Sequence, residues 1–309
     1  MNRGGSMRGV FGVSMAVLFC IVGATGQAQA VSVAVSTDTM TNFFFSGQGV
    51  LESNPGSTGF DSATYNASNM MNTASCPGVG PCNPGGLSAN PPQATAGPGP
   101  FPGQDTYTQP PAGGFTGSRA DANINSVSFN GPGGAAKQGT AETRVAPGNT
   151  GSGLASESIG TTLTLNVATA LSFSFTGDPY LQVGVDAAGN NAVASLVTFI
   201  EVSLAGVDLF RWTPGMAAGQ IGVASETSPF SLNTTFMANA PADNFVYNPA
   251  ADTFRATSIV IPAGTYILSL FQDETVRATA AAVPEPATLL LLGLGLGIGV
   301  AVSRWRRQA

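Results

Sequence analysis

The sequence contains no histidine, and only 9% of its 309 residues are charged. Without histidine the chain cannot form a histidine-ligated zinc site, a Ser-His-Asp triad, a Cys-His dyad or an imidazole general base. These absences exclude most familiar hydrolase chemistry. We predict that the protein is not an enzyme and that it has no catalytic residues, no metal site and no cofactor.

Positive charge is scarce in the body of the chain. Five of the 11 basic residues lie near the two ends, so residues 31–283 contain six basic and 16 acidic residues and have a net charge of −10. A surface with this charge repels phosphate backbones. We therefore predict no nucleic-acid partner.

Residues 1–30 have the order of a secretory signal peptide. Arg3 and Arg8 precede an apolar run over residues 10–24, and small residues close the segment at Ala28 and Ala30. Because signal peptidase accepts small side chains at these two positions, we predict export by the general secretion machinery and cleavage after Ala30. The alternative is a segment that stays in the membrane as an anchor.

The chain has three cysteines, and the first lies inside this apolar run. Cys20 raises a lipoprotein alternative, but lipidation needs a small residue before the cysteine and Phe19 stands there. We expect Cys20 to leave with the signal peptide. An oxidising compartment then favours a disulfide between Cys76 and Cys82, with a redox pair or half of a metal site as alternatives at this spacing.

The C-terminal segment 284–309 has three successive parts. A proline-stiffened neck precedes an uncharged run of 16 residues, 287–302, and an arginine cluster follows. As a helix this run would be about 24 Å long, against about 30 Å for a hydrocarbon core. The arginines favour a cytoplasmic C-terminus, so we predict a transmembrane helix that holds the body outside the cytoplasm. The neck and the cluster contain Pro284, Glu285, Pro286, Arg304, Arg306 and Arg307.

Four glycines alternate along the apolar run, at positions 293, 295, 297 and 299. They favour a poorly stable helix that a membrane enzyme can handle, and close contact between two helices is the alternative.

This order of a Pro-Glu-Pro neck, a Leu/Gly-rich span and an arginine cluster resembles the PEP-CTERM sorting signal of Gram-negative bacteria that produce exopolysaccharide. The resemblance implies that an exosortase, an integral-membrane cysteine protease, processes the chain at this tail. It also implies a precursor anchored in the inner membrane that is then displayed at the cell surface or secreted. It assigns no activity to the body of the protein.

The exported body begins with segment 31–53, where residues 31–35 alternate as a half-buried strand does and a second apolar cluster follows at 43–45. Composition then changes, because Pro, Gly, Asn, Ser and Thr dominate residues 54–118. So little apolar surface cannot offset the chain entropy. We therefore predict a long irregular insertion that carries the Cys76–Cys82 loop.

Residues 119–283 contain short runs in which apolar residues alternate with Ser, Thr or Asn. Such runs with short connections predict an all-β fold, an antiparallel β-sandwich of jelly-roll type. The predicted strands are 124–129, 163–167, 171–175, 180–185, 197–204, 230–236, 257–261 and 266–270. The predicted turns are 177–179, 186–191, 213–215 and a final hairpin at 262–265.

Short sequence segments within this domain resemble the exosortase-dependent surface proteins, a subfamily of PEP-CTERM proteins. They lie at 173–181, 186–188, 229–235 and 263–266, and the resemblance extends over roughly residues 160–275. It implies no catalytic residues. The insertion with its two cysteines lies outside this resemblance.

Six carboxylates are candidates for glycoside cleavage, which needs an acid and a base at a set separation across a cleft. The sequence gives no such separation, and most of the six fall in predicted turns, where Asp commonly bonds its own backbone. We therefore expect structural roles for Asp178, Asp186, Glu201, Asp208, Asp273 and Glu274.

Two features of the body are candidates for binding. Residues 186–191 could surround a calcium ion with oxygens, but they lack the alternating acids of an EF-hand loop, so a plain turn is the prediction. Trp212, Tyr180 and Tyr247 could stack on sugar rings if exposed, whereas core or rim positions are usual for these residues. Trp212 next to Arg211 could form a cation–π pair.

Two hypotheses follow for the exported body. The first is a non-enzymatic surface or matrix protein associated with exopolysaccharide or biofilm. The second is a carbohydrate-binding or polysaccharide-active module that uses the same sorting route.

Overall fold

The computed structural model describes residues 31–67, 70–77, 93–100, 116–131, 133–241 and 243–282, and within these ranges the chain forms strands and turns without a helix. Residues 30–281 make up one compact unit. The strands are β1 Ser32–Ser46, β2 Val50–Ala67, β3 Met70–Pro77, β4 Ala94–Gly99, β5 Thr116–Ser126, β6 Ala135–Val145, β7 Thr150–Leu165, β8 Ser172–Val185, β9 Asn191–Leu204, β10 Val207–Trp212, β11 Val223–Thr227, β12 Thr234–Ala238, β13 Asn244–Tyr247, β14 Asp252–Ser258 and β15 Gly264–Thr279.

These strands pair into two antiparallel sheets. The first sheet has the order β11-β14-β8-β1-β6-β5-β4, and β13 also pairs with β8. The second sheet has the order β10-β9-β15-β7-β2-β3, and β12 also pairs with β9. Strands that are far apart along the chain are therefore neighbours in a sheet. For example, β15 lies between β7 and β9.

Alternation of side chains explains how the sheets pack. In β7 every second residue from Gly151 to Leu165 is buried, and the residues between them are only half-buried. Strand β9 shows the same period over Ala192 to Val202. Because alternate residues point to opposite faces of a sheet, one face of each strand contributes to the core.

Aromatic rings fill one end of the space between the sheets. Phe175 stacks on Phe254 at 4.9 Å and lies 5.5 Å from Trp212, measured between ring centroids. Phe173 stacks on Phe210 at 4.7 Å. All five residues are buried, so this aromatic end supplies much of the apolar burial that stabilises the fold.

Small residues occupy the other end of this space. Ala120, Ala122 and Ala155 form a buried cluster there. A Cβ atom added to Gly153 on β7 would come within 2.6 Å of the Arg119 carbonyl oxygen on β5. The two backbones therefore approach closely at this small-residue end.

The two antiparallel sheets confirm the all-β prediction and are consistent with a β-sandwich, while the jelly-roll type stays a prediction. The prediction that residues 54–118 form an irregular insertion is wrong at several places. Strand β2 continues to Ala67, β3 and β4 follow, and β5 begins at Thr116.

Backbone pairing explains this difference. Strand β2 bonds to β7 on one side and to β3 on the other, so its polar backbone is satisfied without a large apolar face. The inward residues Gly59 and Ala63 are small. Pro55 falls at a bulge, where the register shifts between Ser53 and Gly56, and a missing N–H is tolerated at such a position.

Two predicted turns are also wrong. Residues 177–179 lie inside β8, and Pro179 falls between Gly177, where pairing with β14 stops, and Leu181, where pairing with β13 starts. Residues 262–265 are not a hairpin, because β14 belongs to the first sheet and β15 to the second. Turns are present at 214–215 and 188–189 as predicted.

Several predictions lie outside the described residues. These are the signal peptide 1–30 with Ala28 and Ala30, Cys82, and the tail 284–309 with its apolar run 287–302. Among the residues that are described, no helix has the length and apolar character needed to cross a bilayer. The backbone of Cys76 lies in β3, and its pairing with Cys82 stays a prediction.

Candidate functional site

Four charged side chains meet between the two sheets, in a region that we call the buried charge cluster. Asp38 on β1 and Lys137 on β6 come from the first sheet, and Glu157 on β7 and Glu274 on β15 come from the second. All four are buried, with 0% of the side chain exposed. Charged groups are rarely buried unless they are paired, so this cluster is the most unusual chemistry in the described chain.

Strand register brings Asp38 and Lys137 together. Asp38 lies directly opposite Gly139 in the β1–β6 ladder, and Met40 lies opposite Lys137. Asp38 and Lys137 are therefore diagonal neighbours on the same face of the sheet. Such positions are separated by about 7–8 Å or less.

Gly139 leaves the space that the opposing carboxylates fill. A Cβ atom at this position would overlap Glu274 Oε2 and would lie 2.6 Å from Glu157 Oε1. Both carboxyl groups of the second sheet therefore sit against the backbone of β6, beside the residue that pairs with Asp38. A glycine is needed here because of this close approach.

Hydrogen bonds hold two members of the cluster. Lys137 Nζ donates to the backbone carbonyl of Glu157 at 3.2 Å, and Gln272 Nε2 donates to Glu274 Oε1 at 2.6 Å. Neither carboxyl oxygen of Asp38 has a side-chain hydrogen-bond partner among the described residues. The Glu157 and Glu274 carboxyls lie close enough to share a proton.

Burial is the largest cause of the pKa shifts in the cluster. It raises the pKa of Asp38 to about 7 and that of Glu157 to about 8, although Lys137 opposes both shifts. It lowers the pKa of Lys137 to about 8, against the effect of the surrounding carboxylates. Burial and the neighbouring Glu157 raise the pKa of Glu274 well above its usual value. The pKa values of the lysine and of the carboxyls are therefore shifted toward one another.

The cluster suits proton transfer better than metal binding. Three carboxyls surround one ammonium group, whereas no group of three or more Cys, Asp or Glu residues in the described ranges is arranged to hold a metal ion. The groups also face the interior between two sheets, away from the outer surfaces. Chemistry in the cluster would therefore act on the chain itself.

A second buried ion pair lies on the outer face of the first sheet. Arg119 on β5 is directly opposite Glu142 on β6, and their Nε and Oε2 atoms are 2.8 Å apart. Both side chains are at most 1% exposed. Removing either partner alone would leave a buried charge without its main counter-charge.

The six candidate carboxylates mostly lie in strands, so their assignment to turns is wrong. Alternation places polar residues on both faces of these strands, including the interior. Asp186 alone is in a turn, while the others are Asp178 in β8, Glu201 in β9, Asp208 in β10, and Asp273 and Glu274 in β15.

Two of these carboxylates share a basic partner on the second sheet. Arg211 Nη1 lies 3.9 Å from Glu201 Oε2 and 3.6 Å from Asp208 Oδ2. The Arg211 guanidinium also lies 4.2 Å from the centroid of the Phe199 ring. The alternative of a cation–π pair between Arg211 and Trp212 is therefore wrong, because neighbouring strand residues point to opposite faces.

The 186–191 segment is a hydrogen-bonded turn. Asp186 Oδ1 accepts from the Val31 backbone N–H at 2.6 Å and from Asn190 Nδ2 at 3.3 Å. Val31 is the residue that would become N-terminal after cleavage at the predicted site. The Asp186 carboxylate is thus directed toward the start of the exported chain.

The three candidate sugar-stacking aromatics are in or near the core. Trp212 is fully buried and donates Nε1–H to Glu226 Oε2 at 2.6 Å. Tyr180 is 5% exposed, and Tyr247 is half-buried with its hydroxyl donating to the Ser231 carbonyl at 2.8 Å. The expected core or rim positions are therefore confirmed, and the alternative of Trp212 as an exposed sugar-stacking ring is wrong.

Sequence reasoning missed most of the buried charge cluster, although one signal could have found it. Lys137 is the only lysine in the sequence. Within 135–145, Ala135, Gly139, Ala141, Thr143 and Val145 share its alternation phase, whereas the opposite phase holds Ala136, Gln138, Thr140, Glu142 and Arg144. A single lysine in the small, apolar phase of a strand indicates a buried amine.

Comparison with known families finds a PEP-CTERM protein-sorting motif at residues 282–307. No curated protein and no solved structure matches the chain. The matched range begins three residues after β15 ends at Thr279 and contains the predicted neck and arginine cluster. The predicted resemblance of the tail is thus confirmed. The chain carries a PEP-CTERM sorting motif, which implies an exported, membrane-anchored precursor that an exosortase processes.

Proposed function

We propose that the protein is a non-enzymatic component of the cell surface or extracellular matrix, associated with exopolysaccharide or biofilm. In this proposal the β-sandwich is the delivered part, and the tail is removed during delivery. The observation that carries the proposal is the sorting motif at residues 282–307, which directly follows the last strand of the folded body.

The positions of the candidate reactive groups support a structural role for the body. Glu201 and Asp208 share Arg211, Asp186 bonds the backbone of Val31, and Glu274 is buried between the sheets. Each of these carboxylates already has a partner or an interior position. Long paired strands with mostly uncharged polar outer faces suit a durable surface protein.

Removal of the tail tests the sorting part of this proposal. We expect the full chain, produced in a host that has an exosortase, to yield a membrane-bound precursor and a shorter surface form. Mass spectrometry of the surface form should show a C-terminal peptide that lacks the arginine cluster. Deletion of residues 284–309 should abolish this membrane-dependent processing.

Deletion of residues 308–309 is the matched control, because these residues follow the motif. This variant should be sorted and shortened as the full chain is. If the 284–309 deletion reached the surface with the same mass and yield as the full chain, the sorting proposal would be wrong.

Carbohydrate binding is a second candidate, favoured by two stacked rings on the second sheet. Phe199 and Phe271 are half-buried, with ring centroids 4.6 Å apart, and Arg211 lies against Phe199. Aromatic faces flanked by charged groups can stack on sugar rings. A glycan array and a reducing-sugar assay on the mature protein separate the candidates. Saturable binding that is lost in Phe271→Ala and kept in Phe44→Ala would replace the first proposal with the second.

A further inference from the structure

The only lysine of the chain is enclosed by carboxyl groups and apolar side chains. Lys137 pairs in register with Met40 on β1 and Ile124 on β5, and both are at most 1% exposed. These residues keep bulk water from the amine. A lysine normally keeps its ammonium in water, so burial of the single lysine calls for a chemical reason.

The nearest strand offers a carboxyl group to this amine. Asp38 and Lys137 are diagonal neighbours on adjacent hydrogen-bonded strands, and both point between the sheets. The diagonal spacing of about 7–8 Å or less is one that a lysine side chain can bridge to a short aspartate. Asp38 has no side-chain hydrogen-bond partner among the described residues, although the backbone amides of Thr39 and Asp178 approach it.

We propose that Lys137 and Asp38 condense into an intramolecular isopeptide bond that covalently joins β6 to β1, with the Glu157 and Glu274 carboxyls carrying the proton. This modification is independent of how the chain is sorted. It concerns the folded body alone.

The reaction balances without any further reagent. The neutral Nζ of Lys137 attacks Cγ of the protonated Asp38 carboxyl, and a C–N bond forms. The proton released from nitrogen passes to the Glu157–Glu274 pair and from there to the departing hydroxyl. The Cγ–O bond breaks, one water molecule leaves, and no atom is oxidised or reduced.

The electrostatics of the cluster favour this route. Burial lowers the pKa of Lys137 to about 8 and raises that of Asp38 to about 7, so both groups are shifted toward the neutral forms that condensation requires. Condensation also removes two ionisable groups from a dry interior, where their charged forms are costly.

Asp38 is the electrophile, although Glu157 and Glu274 also surround the lysine. Glu274 is held by Gln272 at 2.6 Å, and Glu157 and Glu274 lie close enough to share a proton. Both come from the opposite sheet, and their carboxyls already lie against the β6 backbone at Gly139, where they are placed to carry protons. Asp38 lies in the same sheet as Lys137, where the hydrogen-bonded ladder already fixes the spacing.

Peptide mapping of the mature wild-type protein gives the direct test. We expect a branched peptide in which Lys137 is joined to Asp38, lighter than the two linear peptides by one water molecule. Trypsin should not cleave after Lys137. Separate linear peptides with cleavage after Lys137 would overturn the proposal, and a branch at Glu157 or Glu274 would overturn the choice of Asp38.

Counting amines in the denatured protein gives an independent readout, because the chain has one lysine. Reductive methylation should label only the N-terminal amine in the wild type, and it should also label Lys137 in Asp38→Ala. Label on Lys137 in the wild type would contradict the proposal. The measurement is made on unfolded chains, so it does not depend on the stability of the variant.

The role of the carboxyl pair is tested by the rate of bond formation after synthesis. In Glu157→Gln combined with Glu274→Gln, formation should slow by about 100-fold or more, the usual contribution of acid–base groups. Asp208→Asn, on the second sheet beside Arg211, should keep the wild-type rate. An unchanged rate in the double variant would exclude the proton-carrying role.

Discussion

The two ends of the space between the sheets contain different kinds of side chain. The aromatic end packs Phe173, Phe175, Phe210, Trp212 and Phe254 against one another. The small-residue end brings backbones close together, and the buried charge cluster lies next to it. The aromatic end is stabilised by close packing of large rings. At the small-residue end, small side chains leave room for the buried charged groups, whose stability depends on their partners.

Loss of a central ring should give the largest effect on stability. Phe175 contacts the rings of Phe43, Trp212 and Phe254, so Phe175→Ala should lower the free energy of unfolding by about 3–5 kcal/mol. Denaturant titration measures this change. Phe44→Ala is the control, because Phe44 is 36% exposed and should cost much less. Equal losses would mean that the aromatic end is not the main stabilising element.

Addition of one methyl group should disturb the charge cluster. In Gly139→Ala the new Cβ would meet two carboxylates, so we expect a loss of about 1–3 kcal/mol, as for overpacking. Gly160→Ala on β7 is the matched control, because its nearest neighbour would be the Leu268 carbonyl oxygen at 3.8 Å. A tolerated Gly139→Ala would show that the carboxylates do not occupy this space.

The charge cluster should also make stability depend on pH. Because burial raises the pKa of Asp38 and Glu157 from about 4 to about 7 and 8, the folded chain binds more protons than the unfolded chain across this range. The free energy of unfolding should therefore fall as the pH rises from about 4 to about 8. Denaturant midpoints at several pH values measure this slope.

Above pH 8 the lysine acts in the opposite direction. A free Lys137 with its pKa lowered from 10.5 to about 8 binds fewer protons in the folded chain, so stability should recover toward pH 10.5. A chain joined at Lys137 and Asp38 lacks this recovery and also loses the Asp38 part of the lower slope, so only the Glu157 and Glu274 carboxyls maintain that slope. Glu157→Gln with Glu274→Gln should flatten the lower slope, whereas the exposed Asp252→Asn should leave it unchanged.

The smallest effect is expected on the outer face of the second sheet. Arg211 is 35% exposed and lies over Phe199, so Arg211→Ala should cost about 0.5–1 kcal/mol. Thermal unfolding at low and high salt measures it. Arg211→Met keeps much of the packing against Phe199, so its stability should lie between that of the wild type and that of Arg211→Ala. A stability loss in Arg211→Ala as large as that of Phe175→Ala would contradict this prediction.

The fold could be predicted where apolar residues alternate with Ser and Thr. Residues 197–204 and 266–270 lie wholly in β9 and β15, and 163–167 lies in β7 as far as Leu165, because the inward residues of these segments are mostly large. Strands β2 to β5 were missed in part, since their inward residues are often Gly, Ala or polar. Their position depends on backbone pairing with neighbours far along the chain, which local composition does not encode.

The charge cluster could not be predicted as a whole. Asp38 and Glu274 are separated by most of the body, and only the strand order places them in one space. Each carboxylate alone resembles an ordinary surface or turn residue. The lone lysine was the one local signal, and the sorting motif was predictable because its three parts are contiguous.

Strand β15 has a mechanical consequence for the body. It bonds to β7 over Gly264–Thr279 and to β9 over Ile267–Thr279. Backbone bonds in such ladders run perpendicular to the strands. A force applied along the chain beyond Thr279 therefore loads both ladders in shear, with many bonds resisting at once. Strand β15 therefore anchors the C-terminal end of the folded body, because a pull along the axis of this strand has to break both ladders together.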